Sequence, residues 1–547
     1  MRGYTRRSFR SGSAPRARWR ILTATIATAL AAGVGLAGCA ARPDPDAVIR
    51  VGVAEPTTLL PTAATSPADA QILAALFTPL VGFDDAGRPF PWAAESIVPS
   101  PDNRVWTIRL REGYTFHNGE PVTSDRYLAA WNYTAYRPNQ QPNNYYFAPI
   151  AGYEALNPPE GTKPTATTLA GLAKIDDRTF TVTLREPSGE FPAMLAAPAF
   201  YPLPSAAFHA DGRLVANFAT APIGNGPFQL WGSWQRGQSV EVTRYDRYPG
   251  ERPRVGGVTF VGYREAEQAY ADLRAGKVDL ITTLPEEQVD PAMADLGDRI
   301  LRPLSGRVQF LAFPSHEKQW RDARLRQAVS MAIDRDALVN HLFPETGVPA
   351  RSFVPPVVPG ARPDTCGQAC QFNPDAAYEL YQEAGGPATL TISYNTDRDH
   401  QRGMTEVCAQ LAANLGVKCT ARPAGQFTEL VSEVTDQKPV GLLRMGWSQE
   451  YPSMAAYLGP LFTSTGSANL AGYQNPEVDT LVGSGIAALS EAEALAAYQL
   501  AEAAVAADLP VIPLWFERHA LAHSPRLRWV TVTGAGVVDL RRLEVIE

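Results

Sequence analysis

The sequence predicts an α/β protein of two or three domains. Strand-like runs alternate with helix-like runs, and several helical runs carry start and stop signals. A length of 547 residues also exceeds what one core usually holds. In chain order, Val48–Ala54, Val105–Leu110, Thr179–Leu184, Val240–Tyr245, Val258–Tyr263 and Val308–Phe313 read as strands, being short runs rich in β-branched and aromatic residues. Asp322 then caps a helix whose Leu325, Ala328, Val329, Ala332 and Ile333 repeat at helical spacing. Asn373-Pro374 reads as an N-cap with Pro at the first helical position, and Asn475-Pro476 repeats that signal. Between them, Ala388–Tyr394 reads as a strand, and Met404, Val407, Cys408, Leu411 and Leu415 line a helix that stops at Gly416. Ser490 with Glu493 fits a capping box, and Val511–Phe516 closes the series as a strand.

Residues 1–38 read as an export signal. Seven Arg and no acidic residue precede or border a 16-residue apolar run, Ile21 to Leu36. The run is shorter than the ~20 residues of a membrane-spanning helix. It ends on Leu36-Ala37-Gly38-Cys39, which resembles the lipobox of bacterial lipoproteins. That resemblance implies lipidation at Cys39, a tether over 39–47, and a protein anchored at the outer face of the cytoplasmic membrane. Thr5-Arg6-Arg7-Ser8-Phe9-Arg10 also resembles the twin-arginine signal, so export by either the general or the twin-arginine route fits. Removing the seven Arg from 49 basic residues leaves 42 against 56 acidic, a net −14. That balance argues against nucleic-acid partners.

Besides Cys39 the chain holds Cys366, Cys370, Cys408 and Cys419. In an oxidising compartment an even set reads as disulfides, with three connectivities open. Local pairing, Cys366 with Cys370 and Cys408 with Cys419, is expected. Zinc is the alternative, but the spacings form no paired knuckles and His400 is the nearest His. Catalytic motifs are missing: the sequence has no G-x-S-x-G, H-E-x-x-H or Walker A pattern, and no G-x-G-x-x-G pattern outside residues 1–38. Ser315-His316-Glu317-Lys318 matches S-x-x-K but lacks a K-T-G partner. No enzyme activity, cofactor or metal is expected.

Four segments in order resemble the bacterial solute-binding proteins of the peptide and nickel class (family 5), which feed ABC importers. Leu76-Phe77-Thr78-Pro79-Leu80-Val81, with Asp84–Gly87 and Pro91–Ser96, is similar to the family's opening. Trp106–Gly113 running into Phe116–Asp125 is similar to its most specific signature. Pro222–Phe228 resembles a hinge motif, and Arg326–Arg335 resembles a fourth segment. In residue terms His117 reads as a structural histidine, and Gly224 and Gly226 as tight backbone positions.

The resemblance implies a type II periplasmic-binding-protein-like fold: two α/β lobes, an extra inserted domain and an interlobe cleft. Lobe I would take 48–82, 200–305 and 515–547, the extra domain 83–199, and lobe II 306–514. Crossings between lobes would fall near Val308–Phe313 and Pro510–Trp515. Its partners would be a short peptide, ABC permease and ATPase subunits, and the membrane through the N-terminal lipid, with the protein itself a monomer.

Leu443–Pro452 is similar to the cleft segment of oligopeptide-binding members. By that likeness Glu450, one methylene longer than the family's Asp, would pair with a peptide's α-ammonium. Gly446 and Ser448 would offer backbone groups, Trp447 would line the cleft, and Arg444 would stand near the peptide's carboxylate. Thr65-Ser66-Pro67 would form a facing strand-like contact, with Pro67 offering no N–H. Tyr145 and Tyr146, with Phe147, could form an aromatic wall, or could simply pack in a core. A nickel chelate, haem or an oligosaccharide is the alternative ligand within the family. A cell-wall peptide-processing enzyme is the alternative outside it.

Overall fold

The computed structural model describes residues 43–84, 86–396 and 400–546. Cys39, the export segment and the start of the tether lie outside the described residues. All eight strand candidates are strands, with ends shifted by a few residues at most. A seven-stranded sheet runs in the order Ile300–Leu301, Leu521–His523, Leu280–Ile281, Val48–Ala54, Gly257–Tyr263, Val240–Arg244, Phe228–Leu230. Val48–Ala54 sits inside it, paired in parallel on both edges. A six-stranded sheet runs Gly347–Pro349, Val511–Arg518, Leu304–Ala312, Leu442–Ser448, Thr389–Tyr394, Lys418–Pro423. A four-stranded antiparallel sheet, Ala94–Pro99, Val105–Leu110, Thr179–Thr183 and Leu172–Asp176, lies within the span expected for the extra domain.

Alternate residues along a strand face opposite sides of its sheet, and the second sheet shows this clearly. Val308, Phe310, Leu443 and Met445 enter one core, while Leu311, Leu442 and Ile392 enter another. A third, larger core joins the first sheet to the four-stranded one, from Val51 to Trp131 and Phe180.

The chain passes from the first sheet to the second between Leu301 and Leu304, and returns between Arg518 and Leu521. The crossings expected near Val308–Phe313 and Pro510–Trp515 therefore lie inside strands of the second sheet. Residues 515–518, expected in lobe I, belong to that sheet too. Both strands run on past the expected points until Pro303 and His519, where the His519 N–H donates to the Pro303 carbonyl at 2.9 Å.

Helix punctuation follows the sequence with one revision. Asp322, Asn373, Asn475 and Ser490 all cap helices through their side chains. The Asp322 helix stops at Met331, so Ala332 and Ile333 are buried beyond its end. Asp334 then accepts from the Ala337 N–H at 2.9 Å and starts a second helix, Arg335–Leu342. Both local disulfides are formed, with Cα separations of 5.6 Å for Cys366–Cys370 and 5.1 Å for Cys408–Cys419. Together they take the four sulfurs a zinc site would have needed.

Candidate ligand-binding cleft

The strand Leu442–Ser448 is bonded along one edge to Leu304–Ala312, from Leu443 to Ser448. On its other edge Thr389–Tyr394 pairs only with Leu442 and Leu443. From Met445 to Ser448 that edge therefore meets no strand among the described residues. Its N–H and C=O groups form a ready template for an extended chain.

Arg444, Gly446 and Ser448 share one face of this strand with Gln309 and Arg307 of its neighbour. Arg444 is buried and donates to Gln309 Oε1 and, at 3.3 Å, to Asn395 Oδ1. Gln309 Nε2 donates to Glu517, which also accepts from Arg307 at 3.4 Å. Arg307 Nε donates to Ser448 Oγ at 3.0 Å. A Cβ on Gly446 would lie 2.8 Å from Gln309 Oε1, so glycine is what lets Gln309 reach Arg444. Trp447 points the other way. Its ring packs on the opposite core and its N–H donates to the Ala456 carbonyl at 2.7 Å. That bond ties the strand to the helix Ala455–Phe462.

Glu450 sits on the loop just past the strand and keeps part of its surface exposed. Loss of water still pushes its carboxyl above the usual range, and a hydrogen bond from the Tyr145 hydroxyl pulls it partly back. Tyr145 stacks on Tyr146 with ring centroids 4.5 Å apart, and Tyr146 meets Phe200 edge-on. The three aromatics divide the two expectations between them: Phe147 is core, Tyr146 is half-buried, and Tyr145 is 51% exposed beside Glu450. Burial raises the Tyr146 hydroxyl to about 12, with Glu450 adding to it. This turn is held by Asn143, whose side-chain N–H donates to the Pro61 and Ala64 carbonyls at 3.3 and 2.9 Å. Thr62 donates to Gln141 at 2.6 Å.

The turn is therefore held against Pro61–Ala64, just ahead of Thr65-Ser66-Pro67, but that last segment is largely committed elsewhere. Ser66 is the N-cap of the helix Pro67–Leu76, in a capping box with Asp69, and Pro67 fills its first position. Both the Ser66 hydroxyl and its N–H are bonded to Asp69. Of the three residues only Thr65 is outside this arrangement and exposed. An open groove of about 690 Å³ runs past the same turn, along Arg137, Gln141, Asn144 and Lys163, and includes none of the expected ligand residues.

Sequence reasoning missed Gln309, Arg307 and Glu517. The available signal was a polar residue, Gln309, between buried Val308 and Phe310 on a central strand.

The model of the bacterial extracellular solute-binding proteins, family 5 Middle, matches residues 88–469. Over 518 residues the chain is 26% identical to the periplasmic oligopeptide-binding protein OppA of Escherichia coli (strain K12), covering 92% of each. It superposes on the unliganded open form of the periplasmic murein tripeptide-binding protein MppA with a TM-score of 0.79 and 23% identity, over 93% of this chain and 99% of that one. On Haemophilus influenzae OppA in complex with RPPGFSPFR the TM-score is 0.70 at 22% identity, over 92% and 100%. The fold is thus the two-lobed, type II periplasmic-binding-protein architecture. With its sheets in that arrangement and most of its length inside the matched region, the chain belongs to the bacterial extracellular solute-binding proteins of family 5.

Proposed function

We propose that this protein captures short peptides between its lobes and delivers them to an ABC permease and its ATPase, from a lipid anchor on Cys39. Lobe I would take 48–82, 200–301 and 521–546, the extra domain 83–199, and lobe II 304–518. Closure about 302–303 and 519–520 would bury the ligand. One observation carries the reading: a carboxylate, Glu450, stands at the end of a strand whose edge meets no strand from Met445 to Ser448 among the described residues. An extended peptide could bond its main chain along that edge while its ammonium meets Glu450. Relatives named for oligopeptides and a murein tripeptide are in keeping with it.

Glu450→Gln keeps the shape of the anchor and removes its charge. Truncating one side of a buried charge pair typically costs ~2–5 kcal/mol, about 30-fold or more in affinity. N-acetylated peptides should bind the wild type weakly for the same reason. Because burial raises the Glu450 carboxyl, acid should weaken binding at a higher pH than for a solvated glutamate. Calorimetry on protein unfolded and refolded to strip carried ligand would compare free and N-acetylated peptides on both proteins. Unchanged affinity in both comparisons would place the amine anchor elsewhere or exclude a peptide ligand.

A further inference from the structure

We infer that Glu190, on the extra-domain side, is a positioning residue that fixes the loop presenting Glu450. The inference rests on the peptide reading above. Glu190 lies at the turn before Phe191–Met194, far in sequence from the cleft strand. It accepts from the Tyr498 hydroxyl at 2.8 Å and faces the Ser453 hydroxyl. Tyr498 belongs to the long helix Glu491–Asp508, and Ser453 follows Glu450 by three residues. The Ser453 N–H donates to the Tyr451 carbonyl at 2.8 Å, and its Oγ accepts from the Ala455 N–H at 3.1 Å. Placing Ser453 therefore places the backbone from Tyr451 to Ala455.

The surroundings make this a built junction. The helix Pro476–Ala487 ends with carbonyls that need partners, and the extra-domain side supplies two. Gly189 N–H donates to the Ile486 carbonyl at 2.7 Å, and the Asn103 side chain donates to the Ala488 carbonyl at 2.7 Å. A Cβ on Gly189 would fall 2.9 Å from the Ala488 oxygen. Nearby, Gly87 packs on Pro452, where an added Cβ would lie at 3.3 Å. With Tyr145 on Glu450, the loop is gripped at both ends and in the middle from the same side of the cleft. No salt bridge reaches Glu190 among the described residues, and its carboxylate is turned to two hydroxyls, those of Tyr498 and Ser453. The titratable groups facing it are Tyr498 and Tyr451, with Glu450 beyond Tyr451.

A residue that only held the fold together would alter binding of all ligands alike. A residue that aims Glu450 would alter the preference for a free amine. The test measures affinity for a random tripeptide library, free and N-acetylated, on wild type, Glu190→Ala, Glu190→Gln and Tyr498→Phe. Wild type should prefer the free library by about 30-fold or more. In Glu190→Ala and Tyr498→Phe that preference should shrink by about tenfold, the scale of a lost hydrogen bond to a charged group. Glu190→Gln retains an acceptor oxygen and should restore most of it. Equal binding of both libraries by wild type would overturn the peptide-anchor reading itself. A wild-type preference that persists in both Glu190→Ala and Tyr498→Phe, or equal weakening toward both libraries, would overturn the role of Glu190 alone.

Discussion

At His117 one imidazole joins two distant segments through both of its nitrogens. Nδ1 accepts from the Gly224 N–H at 3.2 Å and Nε2 donates to the Gly226 carbonyl at 3.2 Å, while the ring lies edge-on to Tyr245 at 4.9 Å. Gly224 and Gly226 are required by close approach: a Cβ there would lie 1.9 Å from the Leu76 oxygen and 2.5 Å from its carbonyl carbon. One nitrogen must accept and the other donate, so the ring must be neutral. Burial lowers its pKa from 6.5 to about 4. In the unfolded chain the imidazole takes up a proton near 6.5, whereas the folded protein resists until about 4. The stabilisation is thus complete above 6.5 and is lost as pH falls toward 4, by ~3 kcal/mol. His117→Asn supplies one acceptor and one donor without titrating. Urea unfolding at pH 7.5 and 4.5 should show wild type losing about 2–3 kcal/mol more than the variant. His519 and His523 are also lowered by burial, but they are common to both proteins and cancel. Equal losses would show that His117 does not carry the acid sensitivity.

The helix Gln401–Leu415 and the strand Lys418–Pro423 are joined by a turn at Gly416, whose φ of +68° suits glycine. That strand is the outermost of the second sheet and, among the described residues, pairs only with Thr389–Tyr394. Cys408–Cys419 ties the helix to this edge, which packing on one side alone would leave prone to fray. Removing the bridge should cost ~2–5 kcal/mol, and removing Cys366–Cys370, which closes a shorter loop, should cost less. Thermal unfolding of the two double Cys→Ala variants measures this. Non-reducing peptide mapping that finds four free thiols or crossed pairs would refute both bridges. These elements were legible because the signals are local: strand composition, Asn-Pro caps, a helical stripe ending in glycine. The site was legible only in part. Ser66 looked available for a ligand, but the same Ser that could contact one also makes a good N-cap, and Asp69 three residues on claims it. Gln309, Arg444 and Glu517 meet through sheet register across 135 and 208 residues, and Glu190 meets Tyr498 across 308, so no local pattern announces them. The passages between the two sheets fall a few residues outside the expected crossing points, because Val308–Phe313 and Val511–Phe516 read as strands without showing which sheet they join.

For the whole molecule, the two passages between the first and second sheets lie side by side, bonded from His519 to Pro303. On the reading proposed above, two adjacent single-chain connections would define an axis about which one lobe could turn with little backbone change. Against that freedom stands the junction on the extra-domain side, where Gly189, Asn103 and Glu190 hold the second lobe's helices and the Glu450 loop. These hydrogen bonds, each about 0.5–1.5 kcal/mol net, join the two sides in this structure. On the same proposed reading, an ammonium meeting Glu450 would supply a charge-assisted bond of about twice that strength, and main-chain bonds along Met445–Ser448 would add to it. A ligand lacking the amine loses the first contribution and should populate the closed form less. Small-angle scattering on the ligand-stripped protein should show the radius of gyration falling with a saturating free tripeptide library. At the same concentration the N-acetylated library should produce a smaller fall, and Glu450→Gln should reduce the difference between the two. Identical contraction with both libraries would mean that main-chain contacts alone drive closure and that Glu450 contributes selectivity at most. No contraction with either, at concentrations where calorimetry detects binding, would mean that the two crossings do not act as a hinge.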